Sequence, residues 1–202
     1  MLDYLRMFIE RDNPLMGKLE SDSLERDDIQ PAIEPETGKF LGLLIRLTGA
    51  RRVLEIGSGV GYSSLWLGEA VRETGGKVVT VDNHERTHKE VLANIRESGL
   101  DGYVESILGD AEDVVPSLEP GWDIIFQDGG KYLYPVLYEP IVGLVKKGGL
   151  IIADDTLFKV NNSVRKGLGE YTDRYNSLVF SDSRLYSTIL SVGHGITLSY
   201  KL

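Results

Sequence analysis

The sequence predicts an α/β fold: a Rossmann-like, doubly wound, mostly parallel seven-stranded sheet with an antiparallel C-terminal strand, plus helices at the N-terminus. Three observations predict it. Short apolar runs alternate with amphipathic helical patterns from about residue 52 to residue 154, the signature of parallel strands joined by helical crossovers. The first run breaks into glycines, VLEIGSGVGYSS over residues 53–64, and Leu65, Trp66, Leu67 and Ala70 begin a helix at once. Finally, two β-rich runs at 185–192 and 196–200 meet at Gly193-His194-Gly195, which predicts a hairpin and hence a reversed last strand.

Taken in order, residues 1–30 form a helical appendage. Leu2, Leu5, Phe8 and Ile9 fall at helical spacing, Asn13-Pro14 breaks the pattern, and Leu15, Leu19 and Leu24 resume it. Pro35 suits the first turn of a helix, PETGKFLGLLIRLTG, that stops near Gly49. Strands are expected near 52–56, 77–82, 103–108, 122–128 and 149–154, with helices near 61–74, 84–98, 111–118 and 131–146. Short connections and right-handed crossovers place those helices on both faces of the sheet. No repeat, low-complexity tract or linker interrupts the chain, so residues 1–202 are expected to be one domain.

Composition excludes several functions. A net charge of −9 argues against a broad nucleic-acid-binding face. The chain has no cysteine, which removes disulfides, thiolate metal sites and cysteine catalysis. Asp3, Arg6 and Glu10 interrupt the opening segment, so it does not read as a signal peptide, and no run reaches membrane-spanning length. A cytoplasmic protein is the simplest expectation.

The ligand is expected at the carboxyl ends of the strands. The glycine turn departs from the dinucleotide fingerprint, because Tyr62 stands where G-x-G-x-x-G requires its third glycine. No lysine completes a phosphate-binding loop either. Instead, carboxylates end each strand: Glu55, Asp82, Asp110, Asp128 and the pair Asp154-Asp155. Asp82 could accept from both hydroxyls of a ribose, and Asp110 from an exocyclic amine of adenine. With Glu55 they describe a positively charged nucleoside, which fits S-adenosylmethionine better than a pyrophosphate cofactor. The structural alternative for Asp110 is an N-cap before AEDVVPSL.

Asp128 and Asp154-Asp155 end strands expected to be neighbours, roughly 5 Å apart. Their oxygens could converge on one hard cation, magnesium first, with manganese or calcium as alternatives. Lys131, three residues after Asp128, reads either as a solvated surface lysine or as a general base. A neighbouring cation would lower its pKa for the second role.

His84-Glu85-Arg86-Thr87-His88 matches the zinc-protease pattern H-E-x-x-H. Its context argues against zinc: it follows the second strand directly, it is polar, and Val91 stands where the extended motif continues. His194 reads as a turn residue with a possible view of the site.

Together these segments resemble the cation-dependent O-methyltransferases that include catechol and caffeoyl-CoA O-methyltransferases. The resemblance runs from PETGKFL onward through VLEIGSGVGYSS, VVTVD, GDAEDVVPSL, WDIIFQDGGKYLY and LVKKGGLIIADDTLF to RYNSL and ILSVGHGITLS. It implies that Glu55, Gly57, Ser63, Asp82, Asp110 and Ala111 hold S-adenosylmethionine, that Asp128, Asp154 and Asp155 bind the metal, and that Lys131 is the base. The implied reaction is methyl transfer to a hydroxyl of a small vicinal diol, with hydroxylated uridine in tRNA as an alternative acceptor and a non-catalytic cofactor-binding protein as a third reading. Arg165, Lys166 and Arg174 are the local cations a tRNA would need. A homodimer is also implied. Three positions depart from the family: Asp155 replaces asparagine, Gly129-Gly130 replace larger residues, and His194 replaces an aspartate.

Overall fold

Residues 2–11, 13–161 and 165–202 are described by the structure, a computed structural model. Seven strands form one sheet in the order β3-β2-β1-β4-β5-β7-β6. They are β1 (Arg52–Ile56), β2 (Lys77–Asp82), β3 (Val104–Leu108), β4 (Trp122–Gln127), β5 (Val145–Ala153), β6 (Leu185–Leu190) and β7 (Ile196–Lys201). The pairs β1-β2, β2-β3, β1-β4 and β4-β5 are parallel, and β7 runs antiparallel to both β5 and β6. Strand order therefore reverses between β1 and β4, which opens a crevice at their carboxyl ends.

Period-two alternation divides the strands between two cores. Val53, Val78, Ile124, Phe126 and Ile152 face one side, where they meet α2 (Pro14–Glu25), α3 (Pro35–Thr48), α4 (Tyr62–Thr74) and α5 (Glu85–Glu97). Leu54, Ile56, Val81, Ile125 and Ile151 face the other side, under α7 (Leu133–Val136), α8 (Tyr138–Leu144) and α9 (Lys166–Ser181). Both faces being covered explains why the strands are apolar almost throughout. The pairing of α3 with α4 depends on Gly38, since a Cβ there would lie 2.5 Å from the Trp66 ring. A glycine inside a helix costs about 1 kcal/mol relative to alanine; the indole packed against it offsets that cost.

The N-terminal segment forms two helices, α1 (Leu2–Arg6) and α2. Asn13-Pro14 turns out to be a helix start: the Asn13 side chain accepts from Leu15 N at 3.0 Å, and Pro14 takes the first helical position. Three expectations need correction. The helix expected over 131–146 is two short helices, α7 and α8, containing Pro135 and Pro140, and β5 begins at Val145. The helix expected over 111–118 is α6 (Ala111–Val114) followed by a 3-10 turn that contains Pro116. Helix α9 was not expected from the sequence at all; it packs through Gly169, Thr172, Tyr175 and Val179. The remaining strands fall close to their expected bounds, and the 185–200 hairpin pairs along its length.

Candidate active site

The glycine turn follows β1. Gly57, Gly59 and Gly61 all have positive φ, at +95°, +52° and +95°, a region glycine enters without a steric penalty. Asp82, at the end of β2, stabilises this turn. Its Oδ2 accepts from the backbone nitrogens of Ser58 (3.0 Å) and Gly59 (3.1 Å), and its Oδ1 accepts from His84 N (2.9 Å). A carboxylate has about four lone-pair directions, so roughly one remains for a ligand hydroxyl. Asp110 caps α6 by accepting from Glu112 N at 2.9 Å and is exposed, so the N-cap reading holds for it. Ala111 and Ser63 are buried beside these turns.

Glu55 lies beneath the turn and is fully buried. Its Oε2 accepts from the Ser64 hydroxyl, while Oε1 has no partner. Burial pushes its carboxyl up to about 7, against the opposing pull of the nearby Ser63, Ser64 and Thr80 hydroxyls.

The acidic cluster forms at the ends of β4 and β5. Asp128 N donates to Ile56 O (2.9 Å) and Asp154 N to Gln127 O (3.1 Å), so main-chain bonds bring the three strand ends together. Lys131 Nζ lies 2.9 Å from Asp128 Oδ1 and 2.8 Å from Asp155 Oδ2. It also donates to Tyr134 Oη at 3.0 Å. The Tyr134 hydroxyl lies within reach of Gln127 O (2.9 Å) and Asp154 O (3.0 Å), which fixes the phenol in place. Asp154 is almost wholly buried, and its Oδ1 accepts from Asp155 N at 2.8 Å. Among the described residues, Asp155 is the one non-glycine with positive φ (+59°). Asparagine and aspartate are the residues that tolerate this conformation best.

Charge in this cluster is unbalanced. Burial pushes the Asp154 carboxyl well above its usual range, and Asp128 and Asp155 add like-charge repulsion. Burial likewise raises Asp128, to about 6, despite Lys131. The Lys131 pKa lies above the ordinary lysine value. Burial alone would lower it, but Asp128, Tyr134 and Asp155 outweigh that effect and hold the ammonium form. Two carboxylates on a single ammonium, with the buried Asp154 carboxyl close enough to repel both, offer oxygen donors that fit a hard divalent cation. Among the described residues no three histidine or acidic side chains are grouped as a metal cage, and Lys131 bridges Asp128 and Asp155.

His194 joins the cluster, and Glu34, Phe158 and Tyr134 extend it beyond the sequence-based set. His194 Nδ1 lies 3.3 Å from Asp155 Oδ1 and 3.2 Å from Glu34 Oε1. Phe158 adds a ring 5.7 Å from Lys131 Nζ and 5.8 Å from the His194 ring. Tyr134 could have been found from its spacing, one helical turn after Lys131; Glu34 left no local signal. His84 and His88 serve the scaffold instead: His84 caps α5 through Thr87 N (3.5 Å), and His88 pairs with Ser106 Oγ (3.1 Å).

Residues 8–202 match the O-methyltransferase family. The catechol O-methyltransferase of Niastella koreensis is 31% identical over 169 residues, covering 80% of this chain and 76% of its own length. Caffeoyl-CoA O-methyltransferase 2 of Populus trichocarpa is 33% identical over 184 residues, covering 83% of this chain and 73% of its own. Among solved structures, the O-methyltransferase of Bacillus cereus in complex with SAH superposes with a TM-score of 0.84 at 27% identity, over 99% of this chain and 96% of that one.

Proposed function

The chain belongs to the O-methyltransferase family, and on that footing we propose that it transfers a methyl group from S-adenosylmethionine to a hydroxyl oxygen of a small catechol-like acceptor, with a divalent cation as cofactor. The observation that carries this reading is the placement of Lys131 Nζ within 2.9 Å of both Asp128 and Asp155, beside the glycine turn at the reversal of strand order.

The nucleoside would lie along the turn. Asp82 retains acceptor capacity for a ribose hydroxyl, exposed Asp110 for an adenine amine, and Gly57 lets backbone approach the ligand. Ser63 and Ala111 would line that wall, and Glu55, with one oxygen unpartnered, would offer that oxygen to the cationic end of the cofactor. When bound, S-adenosylmethionine supplies an electrophilic methyl group. A cation held by Asp128, Asp154 and Asp155 supplies Lewis acidity that favours the acceptor oxyanion.

Lys131 handles the proton. If a cation engaged Asp128 and Asp155, the ammonium would lose the charge partners that hold its proton and would release it to solvent, leaving Nζ free to accept the proton of the acceptor hydroxyl. Tyr134 Oη, 3.0 Å away, fixes the direction of the Nζ lone pair. The Phe158 ring gives an aromatic acceptor a flat surface next to Nζ. Such positioning shortens the search for an in-line attack on the methyl group.

The test is transfer of labelled methyl to a panel of catechols and to tRNA, with and without chelator. Chelation should abolish transfer, magnesium should restore it, and Asp128→Ala should remove it. Transfer indifferent to chelator would discard the cation. Labelling of tRNA alone would move the reading to an RNA acceptor, with exposed Arg165, Lys166 and Arg174 as the contact surface. We also expect a homodimer, in which the exposed apolar side chains of Leu2, Tyr4 and Phe8 become covered; light scattering would measure its mass.

A further inference from the structure

We propose that Glu34 and His194 are positioning residues, a carboxylate–imidazole pair that fixes the orientation of the Asp155 carboxylate and thereby sets the affinity of the cation seat. The inference rests on the reading that Asp128, Asp154 and Asp155 bind a divalent cation.

The geometry of Asp155 carries the argument. Its two oxygens are engaged from different directions: Oδ2 lies 2.8 Å from Lys131 Nζ, and Oδ1 lies 3.3 Å from His194 Nδ1. A carboxylate contacted through both oxygens has its plane determined. If Lys131 gives up its ion pair to a cation, the His194 contact is the one that still defines this plane. Glu34 Oε1 lies 3.2 Å from the same ring nitrogen, so the single Nδ1 position is shared between the two carboxylates and the ring is oriented by both. Glu34 immediately precedes α3 and is mostly buried, so it is anchored to the scaffold rather than to a mobile surface.

The backbone around His194 is built for this contact. Gly193 and Gly195 have φ of +54° and +101°. A Cβ on Gly193 would lie 2.7 Å from Glu34 Oε2 and 2.8 Å from Thr37 Oγ1; one on Gly195 would lie 2.4 Å from Leu157 Cγ. Both glycines are therefore needed for the turn to press against Glu34 on one side and the segment after Asp155 on the other. Three hydrogen bonds join the turn to that segment: Leu157 N to His194 O (3.1 Å), and Thr156 N (2.9 Å) and Oγ1 (3.1 Å) to Gly195 O. The histidine cannot drift relative to Asp155 without breaking them. Groups that orient a metal-binding carboxylate without touching the metal typically change affinity or activity by about 10- to 100-fold when removed.

The test is manganese binding, followed by loss of the free-ion electron paramagnetic resonance signal, in wild type, Glu34→Gln, His194→Ala and the double variant. Each single substitution should weaken manganese binding about tenfold. The double variant should bind no more weakly than His194→Ala, because Glu34 acts only through His194. Binding of S-adenosylhomocysteine and the melting temperature should stay near wild type. A purely structural role would instead lower melting temperature and both affinities together. Manganese affinity within twofold of wild type in both single variants, or additive losses in the double variant, would overturn the inference. Glu34→Gln keeps shape and burial, so it decides the matter even if His194→Ala folds poorly. A wild-type protein that binds no manganese rejects the cation reading itself, and this inference falls with it.

Discussion

A Cβ placed on Gly57 would lie 2.6 Å from the backbone nitrogen of Gly129, so the turn after β1 and the turn after β4 touch main chain to main chain. That contact joins the proposed nucleoside wall to the acidic cluster. Gly57→Ala therefore meets two penalties, a positive φ of +95° and a collision with backbone that cannot swing aside. A loss of roughly 2–4 kcal/mol is expected, or about 5–15 °C in melting temperature for a chain of this size. Gly59→Ala is the control. Its φ is also positive, at +52°, but no atom lies within 4 Å of the added carbon, so the cost should stay near 1 kcal/mol. Thermal melts of the two variants compare them directly. Equal losses would mean that the Gly57–Gly129 approach contributes nothing.

In the proposed reaction Lys131 carries both stability and chemistry, and a substitution separates them. Lys131→Met keeps the length of the side chain but leaves Asp128 and Asp155 without their cation. Removing one partner of a buried ion pair costs about 3–5 kcal/mol. Added magnesium should recover much of that loss by neutralising the same carboxylates. Methyl transfer should still fall by at least about 100-fold at saturating magnesium, because no base remains at that position. The check is a melting curve and a rate for each protein, with and without magnesium. A variant that regains both with magnesium would show that Lys131 only balances charge.

Glu55 predicts a pH dependence. Burial raises its folded-state carboxyl to about 7 from an ordinary value near 4.5. Between these values the folded protein holds a proton that the unfolded chain has released. The stability associated with neutral Glu55 is therefore complete below about pH 4.5 and is lost as pH rises towards 7, with a ceiling of about 3 kcal/mol. Glu55→Gln keeps the shape and removes the titration. Its stability should be flatter than wild type between pH 5 and 7, read from denaturant midpoints across that range. Parallel profiles would place the titration elsewhere.

How much of this was legible in the sequence depends on the range of each interaction. The glycine turn and the strand-end acids could be read because period-two strands and positive-φ glycines are local features. The Asp128–Lys131 pairing could be read because one turn of chain separates the two residues. Helix α9 escaped because two of its four buried residues are Gly169 and Thr172, which break the apolar periodicity that marks a helix. The split of residues 131–146 was also written locally, in Pro135 and Pro140, but the apolar pattern masked it. Asp82 bonding back to Ser58 and Gly59, and His194 reaching Glu34, are products of the sheet's topology. Nothing in the composition or spacing of either segment announces them.

The second core contains an orphaned group whose removal should help. Tyr175 is 1% exposed, stacks edge-on against Tyr134 and Tyr138, and its hydroxyl has no hydrogen-bond partner. Burial accordingly drives its pKa above the usual range for a phenol. Leaving a buried hydroxyl unpaired costs about 1–3 kcal/mol. Tyr175→Phe keeps both ring contacts and deletes that oxygen, at the expense of one small void. The net gain should be about 1 kcal/mol, or about 2–4 °C in melting temperature. Tyr134, which does bond Lys131, provides the contrast: Tyr134→Phe should destabilise the protein and slow methyl transfer, because Lys131 Nζ, Gln127 O and Asp154 O all lose a partner. If Tyr175→Phe melts lower than wild type, its hydroxyl has a partner after all, and the packing of α9 against α7 depends on a bond through that oxygen.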